Sequence, residues 1–299
     1  MKLKIMSKAR IGGLFVAASA LIYPYVDAHG VEQNIEIIGN TGGGQSIESL
    51  ENQGAGGNAN AQNANLLPGK AHDIAVDKLG NRYAVGSQKG MNGYALYKWA
   101  ANSAAWQKMN GEAVRITARP NQAWIVNTQG QVFYESGPIW KNVPAPIAKD
   151  ISAGRDTVWI TTPNDEIFRY VPQGTLEFVA SQDQLAFNNG FGGWARVDVN
   201  AVKVELDDSD NPWIIDKSGQ LNRFHAGKWR AINAPKAIDL NASEPGTVEF
   251  VDEKGDVLQY EVATNRWWYL SQSKDTVAIG GSSGELLKLN NNLDIFKVR

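Results

Sequence analysis

The chain has no cysteine. That excludes disulfides, a cysteine metal site, a thiol nucleophile and the lipid-anchored cysteine of a lipoprotein. Histidine is nearly as scarce, with only His29, His72 and His225. None has a partner at metal-ligand spacing, and no Ser-His-Asp order or zinc motif is present, so neither a catalytic residue nor a metal site is expected. No cofactor is implied. A helical period is missing from residue 66 onward. A one-signed charge excess is missing too. The formal charge is −2, and removing residues 1–28 takes away four basic residues and one acid, leaving −5. A nucleic-acid binder usually carries a basic face, so none is expected as a partner.

What is there begins with Lys2, Lys4, Lys8 and Arg10, followed by the uncharged run from Ile11 to Tyr23. Val26-Asp27-Ala28 then places small residues where a signal peptidase cuts. The run is short of the about 20 residues that span a bilayer. Residues 1–28 therefore read as a signal peptide, with an uncleaved anchor as the alternative. The mature protein is expected to be secreted or periplasmic, with no membrane span after cleavage. Residues 29–65 form an N-terminal segment and linker. Over 40–65 the linker is rich in Gly, Asn, Gln and Ala, with too little apolar surface to offset its ordering entropy.

From Leu66 the sequence repeats. A short strand leads to an aromatic-bearing strand, then a Gly or Asp turn, a third strand, and a fourth that often opens on Trp. The units start at 72, 115, 150, 202, 238 and 275. Their second-strand positions are Tyr83, Trp124, Trp159, Trp213 and Glu249, spaced 41, 35, 54 and 36 residues apart. A period near 36 with four short strands implies blades arranged around an axis. The fold class is thus all-β, a β-propeller of four-stranded blades over residues 66–299. Six blades are preferred and five are the alternative, because an unpaired sheet edge is a liability. The last unit lacks one strand, which Ile35–Ile38 is a candidate to supply. The long third interval holds an insertion at 182–200.

The run Leu67-Pro68-Gly69-Lys70-Ala71-His72-Asp73-Ile74-Ala75-Val76 resembles the opening of a tectonin repeat. Gly80 to Val85 continue the pattern, with Tyr83 where that family has Trp. Ala148 to Gly154 and Thr157-Val158-Trp159-Ile160 match again. The resemblance implies a non-catalytic propeller related to the tectonin and tachylectin-like lectins, which bind surface saccharides. A glycan or glycoconjugate is then the expected ligand, and a protein partner is the alternative. Glu249 and the insertion depart from the pattern.

Trp124, Trp159 and Trp213 sit in apolar strands and are read as packing residues. Trp106, Trp140, Trp229, Trp267 and Trp268 open outer strands, where an indole meets solvent and a pyranose face can stack on it. Trp194 ends the aromatic, glycine-rich run 187–194, read as a loop whose aromatics either bind a ligand or fold back over the propeller. The candidate ligand-binding residues are therefore Trp140, Trp194, Trp229, Trp267 and Trp268. Asp207 to Asn211 has the composition of a calcium loop but not its spacing, and reads as an acidic turn. Asp73, Asp150 and Asp275 open first strands and are expected to accept backbone amides.

Overall fold

The computed structural model describes residues 65–171, 185–186, 193–282 and 284–299. The expected signal peptide, the linker up to residue 64, Ile35–Ile38 and part of the insertion at 182–200 lie outside the described residues. All regular structure among the described residues is strand.

The first unit comprises β1 (Leu66–Val76), β2 (Arg82–Lys89), β3 (Tyr94–Ala100) and β4 (Ala105–Ala113). The second is β5 (Arg115–Arg119), β6 (Gln122–Val126), β7 (Val132–Ser136) and β8 (Ile139–Val143). The third is β9 (Asp150–Ala153), β10 (Val158–Thr161), β11 (Glu166–Val171), the short β12 (Leu185–Ala186) and β13 (Gly193–Asn200). Its sheet order is β12-β13-β11-β10-β9. The fourth is β14 (Lys203–Leu206), β15 (Pro212–Ile215), β16 (Leu221–His225) and β17 (Lys228–Ala231). The fifth is β18 (Ala237–Glu244), β19 (Thr247–Asp252), β20 (Val257–Glu261) and β21 (Arg266–Ser271). The sixth has β22 (Thr276–Ser282), β23 (Glu285–Asn290) and β24 (Asp294–Lys297).

The fourth strand of the sixth unit comes from β1. Leu66 and Leu67 pair with Phe296 and Ile295 of β24, whereas Ala71 onward pairs with β2. The strand changes sheets at Pro68-Gly69. Pro68 has no N–H for a ladder, and Gly69 takes a φ of 86°, which a side chain would disfavour. The innermost strands β1, β5, β9, β14, β18 and β22 each lie against the next, and β22 lies against β1. The pairings and contacts thus make a ring of four-stranded units, the third extended by β12, a β-propeller. The strand that completes it is Leu66–Lys70.

The core lies between neighbouring units. Trp124 packs with Ile151, Ile160 and Trp194 of the third unit. Trp159 packs with Val204 and Ile214 of the fourth, and Trp213 with Phe250 and Tyr260 of the fifth. These second-strand aromatics are buried, as expected of packing residues. Glu249 is buried at the same position, and its carboxylate accepts from Asn241 Nδ2 at 2.9 Å and Arg299 Nη2 at 2.6 Å. That pairing offsets the cost of burying a charge. Asp207 is buried as well. It accepts the amides of Ser209 and Asn211 at 2.9 and 3.0 Å, so this acidic loop is a self-capped turn. No cluster of three or more metal-ligating side chains occurs among the described residues.

Candidate functional site

The outer-strand tryptophans divide by what the preceding unit offers them. Trp106 is 1% exposed, and its Nε1 donates to Pro68 O at 2.8 Å. Trp140 Nε1 donates to Asn110 O at 2.7 Å, and Trp194 Nε1 to Pro144 O at 2.9 Å. Each acceptor lies on or just past the outer edge of the preceding unit. The indole buries its ring between units and still satisfies its one donor. Gly111 makes room for Trp140, because a Cβ there would come within 2.7 Å of Nε1. Trp229 is half-buried, packs toward the third unit beside Val199, and sits edge-on to Phe224 at 5.2 Å.

Trp194 corrects the reading of a loop residue and takes the packed alternative. It is 4% exposed and lies on β13, the regular fourth strand of its unit, beside Tyr170 at 5.2 Å. Its sequence neighbourhood is glycine-rich, yet the strand it opens has a neighbour to cover it. Trp267 and Trp268 differ from all of these. They are 38% and 40% exposed, with Tyr269 at 41%. The three stand on β21, the edge strand of the fifth sheet. Trp267 and Tyr269 meet edge to face at 5.8 Å.

The channel axis carries a second arrangement. Three hydrogen bonds from backbone amides to carboxylates, each between neighbouring first strands, set the alignment. Asp73 Oδ2 accepts from Ile116 N at 2.8 Å, Asp150 Oδ2 from Val204 N at 3.4 Å and Asp239 Oδ2 from Ile279 N at 2.8 Å. Asp239 thus does what was expected of Asp275, whose carboxylate instead faces Lys288 Nζ at 3.4 Å. Aligned this way, one ring position reads Asp73, Arg115, Asp150, Lys203, Asp239 and Ala278, so charge alternates until the sixth unit. Arg115 Nε and Lys203 Nζ each approach Asp150 Oδ1 at 3.5 Å, and Lys203 Nζ reaches Asp239 Oδ1 at 2.9 Å.

Burial pushes the Asp73 carboxyl up to about 6 against the pull of Arg115 and Lys203. Burial also pushes Glu205 up to about 8, opposed by the Ser152 hydroxyl that it accepts. The charge of Asp73 holds the Arg115 guanidinium above its ordinary value, against burial. For Lys203, burial works against the ammonium, but Asp150 and Asp239 outweigh it and raise the group. Two cavities follow the axis, of about 60 and about 30 Å³. Small-molecule pockets run to roughly 300–1,000 Å³, so these hold a few waters at most.

The internal period, the sheet order and the inter-unit packing are those of a propeller built from repeats. Residues 112–211 match the Tectonin domain. This tectonin segment runs from the end of β4 through the second and third units into the fourth. Solved structures similar in fold include a structural-genomics protein from Bacteroides thetaiotaomicron, with a TM-score of 0.54 at 8% identity over 84% of this chain and 73% of that one. The β-propeller domain of Myceliophteria thermophila Cps50 (Swd1) gives 0.49 at 9% identity, over 76% and 82%. YCF48 bound to a D1 peptide gives 0.49 at 12% identity, over 77% of each chain. No curated protein matches the chain.

Residues that sequence reasoning passed over carried a signal in the tectonin period. Aligning Arg115-Ile116 and Lys203-Val204 on Asp73-Ile74 puts two bases in register with three acids. Tyr269 was available from the same run as Trp267 and Trp268. The indole acceptors Pro68 O, Asn110 O and Pro144 O left no signal, because a backbone carbonyl has no residue type.

Proposed function

We propose that this protein is an exported, lectin-like β-propeller whose saccharide site is the exposed aromatic edge of β21. The coarser part of that reading, a propeller scaffold that binds a ligand or a protein, rests on the fold and the tectonin segment. The saccharide reading rests on one observation. Among the five tryptophans singled out, Trp267 and Trp268 keep more than a third of their surface free, and Tyr269 shares one face of the strand with Trp267. Flat indole and phenol rings in solvent suit the apolar faces of sugar rings, with neighbouring polar groups orienting the hydroxyls. The channel cavities are too small for a substrate, which supports a non-catalytic role. Export, to the periplasm or the medium, is proposed from the basic and apolar opening of the sequence.

A glycan array probed with the full chain and with Trp267→Ala tests the reading. Retention of a defined set of glycans, lost in the variant, supports it. Absence of retention by the parent protein defeats it and leaves a protein-binding scaffold. One feature favours that second reading: β21 is an open sheet edge, and such an edge can add a strand from a partner.

A further inference from the structure

We propose that the glycan is anionic and that its charged groups are held by Arg223 and Arg230, on the wall of the fourth unit facing Trp267 and Tyr269. The inference rests on the saccharide reading above.

Cross-strand pairing carries the argument. On the fourth unit Arg223 stands directly opposite Arg230, and His225 directly opposite Lys228. Alternation along β16 and β17 puts all four on one face. Cβ atoms of facing residues lie about 4.5–5.5 Å apart, and like charges so placed destabilise a sheet. Among the described residues no carboxylate pairs with Arg223, Lys228 or Arg230, and no acid occurs on β16 or β17. Arg223 Nε is shielded from solvent and has no hydrogen-bond partner. In the first, second, third and fifth units the corresponding pairs are Lys98 with Gln107, Tyr134 with Lys141, Arg169 with Ala195, and Gln259 with Trp268, none of them two like charges.

The same face looks toward the fifth unit. Arg223 lies opposite Trp213 and stacks over its ring at 5.2 Å. Trp213 in turn meets Tyr260 of the fifth unit at 6.3 Å. Tyr260 lies opposite Trp267, and Leu258 opposite Tyr269, so both exposed rings share the face that looks back at the fourth unit. Arg223 is close enough to Tyr260 to oppose the upward push that burial gives its phenol. The seam between the two units therefore has unneutralised guanidinium groups on one wall and free aromatic rings on the other. Guanidinium binds carboxylate, sulfate or phosphate oxygens through paired N–H donors. Rings that stack on sugars select a saccharide carrying those groups over an acidic peptide.

The test uses the full chain with dextran, dextran sulfate, polygalacturonate and polyglutamate as probes. The acidic polysaccharides are expected to be retained more strongly than dextran, with retention falling as salt rises. Arg223→Gln with Arg230→Gln should bind them about tenfold more weakly, and the paired Lys substitutions should restore much of that loss. The Gln variant should melt no lower than the parent, because it removes a like-charge pair. Equal retention of dextran and dextran sulfate overturns the anionic inference while the saccharide reading stands. Equal retention of polyglutamate overturns it in favour of an acidic polypeptide. Loss of retention together with a lowered melting temperature also overturns it. No retention of any polysaccharide removes both readings.

Discussion

Lys78 and Asp208 meet across the mouth of the channel, with Lys78 Nζ 3.0 Å from Asp208 Oδ1 and donating to its carbonyl at 3.2 Å. They belong to the turns that follow the first strands of the first and fourth units, which stand opposite each other in the ring. Their side chains keep 31% and 27% of their surface in solvent. Such pairs contribute about 0–1 kcal/mol. Lys78→Ala should therefore barely shift the melting temperature. It should speed hydrogen exchange at the amides of Ala153 and Leu206, which bond inside the channel. A large stability loss, or unchanged exchange, would contradict this picture of a strap over the cavity.

The channel carboxyls make stability depend on pH. Burial moves Asp73 from 3.8 to about 6 and Glu205 from 4.5 to about 8. A carboxyl raised in the folded state binds its proton more tightly there than in the unfolded chain. Stability is then fully present below the unfolded value and is lost as pH climbs through the folded one. Melting temperature should fall from about pH 4 to about pH 8, with Asp73 acting in the lower part of that window and Glu205 reaching higher. Glu205→Gln keeps a neutral partner for Ser152 and should remove most of the fall above about pH 6. Thermal melts of both proteins across that range check it.

Trp194 and Trp267 should respond in opposite ways. Trp194→Ala removes a ring from the core between the second and third units and leaves Pro144 O without its donor. The expected cost is about 3–5 kcal/mol, read by denaturant unfolding. Trp267→Ala acts at an exposed edge, on the face turned toward the fourth unit, and should change stability by less than about 1 kcal/mol while lowering glycan retention. If both variants lose stability alike, the exposed edge is not a free surface.

Ring closure depends on five residues. A chain starting at Leu66 keeps the pairing of β1 with β24, whereas one starting at Ala71 leaves β24 as a bare edge and takes Pro68 O from Trp106. The longer fragment is expected to melt cooperatively as a monomer. The shorter one should melt lower and associate through the open edge. Calorimetry and size-exclusion chromatography separate the two. Equal behaviour would mean that the strand is dispensable.

Much of the architecture was legible along the chain because propeller units are built locally. Alternating strands, Asp and Asn turns and buried second-strand aromatics are set by nearest neighbours in sequence, and they repeat. Asp207 shows this well: its turn was readable from residue types because a carboxylate capping amides two and four residues on needs no distant partner. Trp194 shows the opposite. Its glycine-rich surroundings signalled a loop, but a carbonyl of the preceding unit, fifty residues back, buries it.

The sequence alone determined that the chain is a repeating all-β ring with aromatic spacers and a family likeness to tectonin. Tertiary structure decided which tryptophans are spent on packing and which face solvent, and which strand closes the ring. It also decided that Arg223 faces Arg230, with no carboxylate paired to either among the described residues. The physical reason is that burial and charge neutralisation belong to pairs of surfaces. The residues meeting at a seam between units come from separate repeats, so no single repeat records what it will touch.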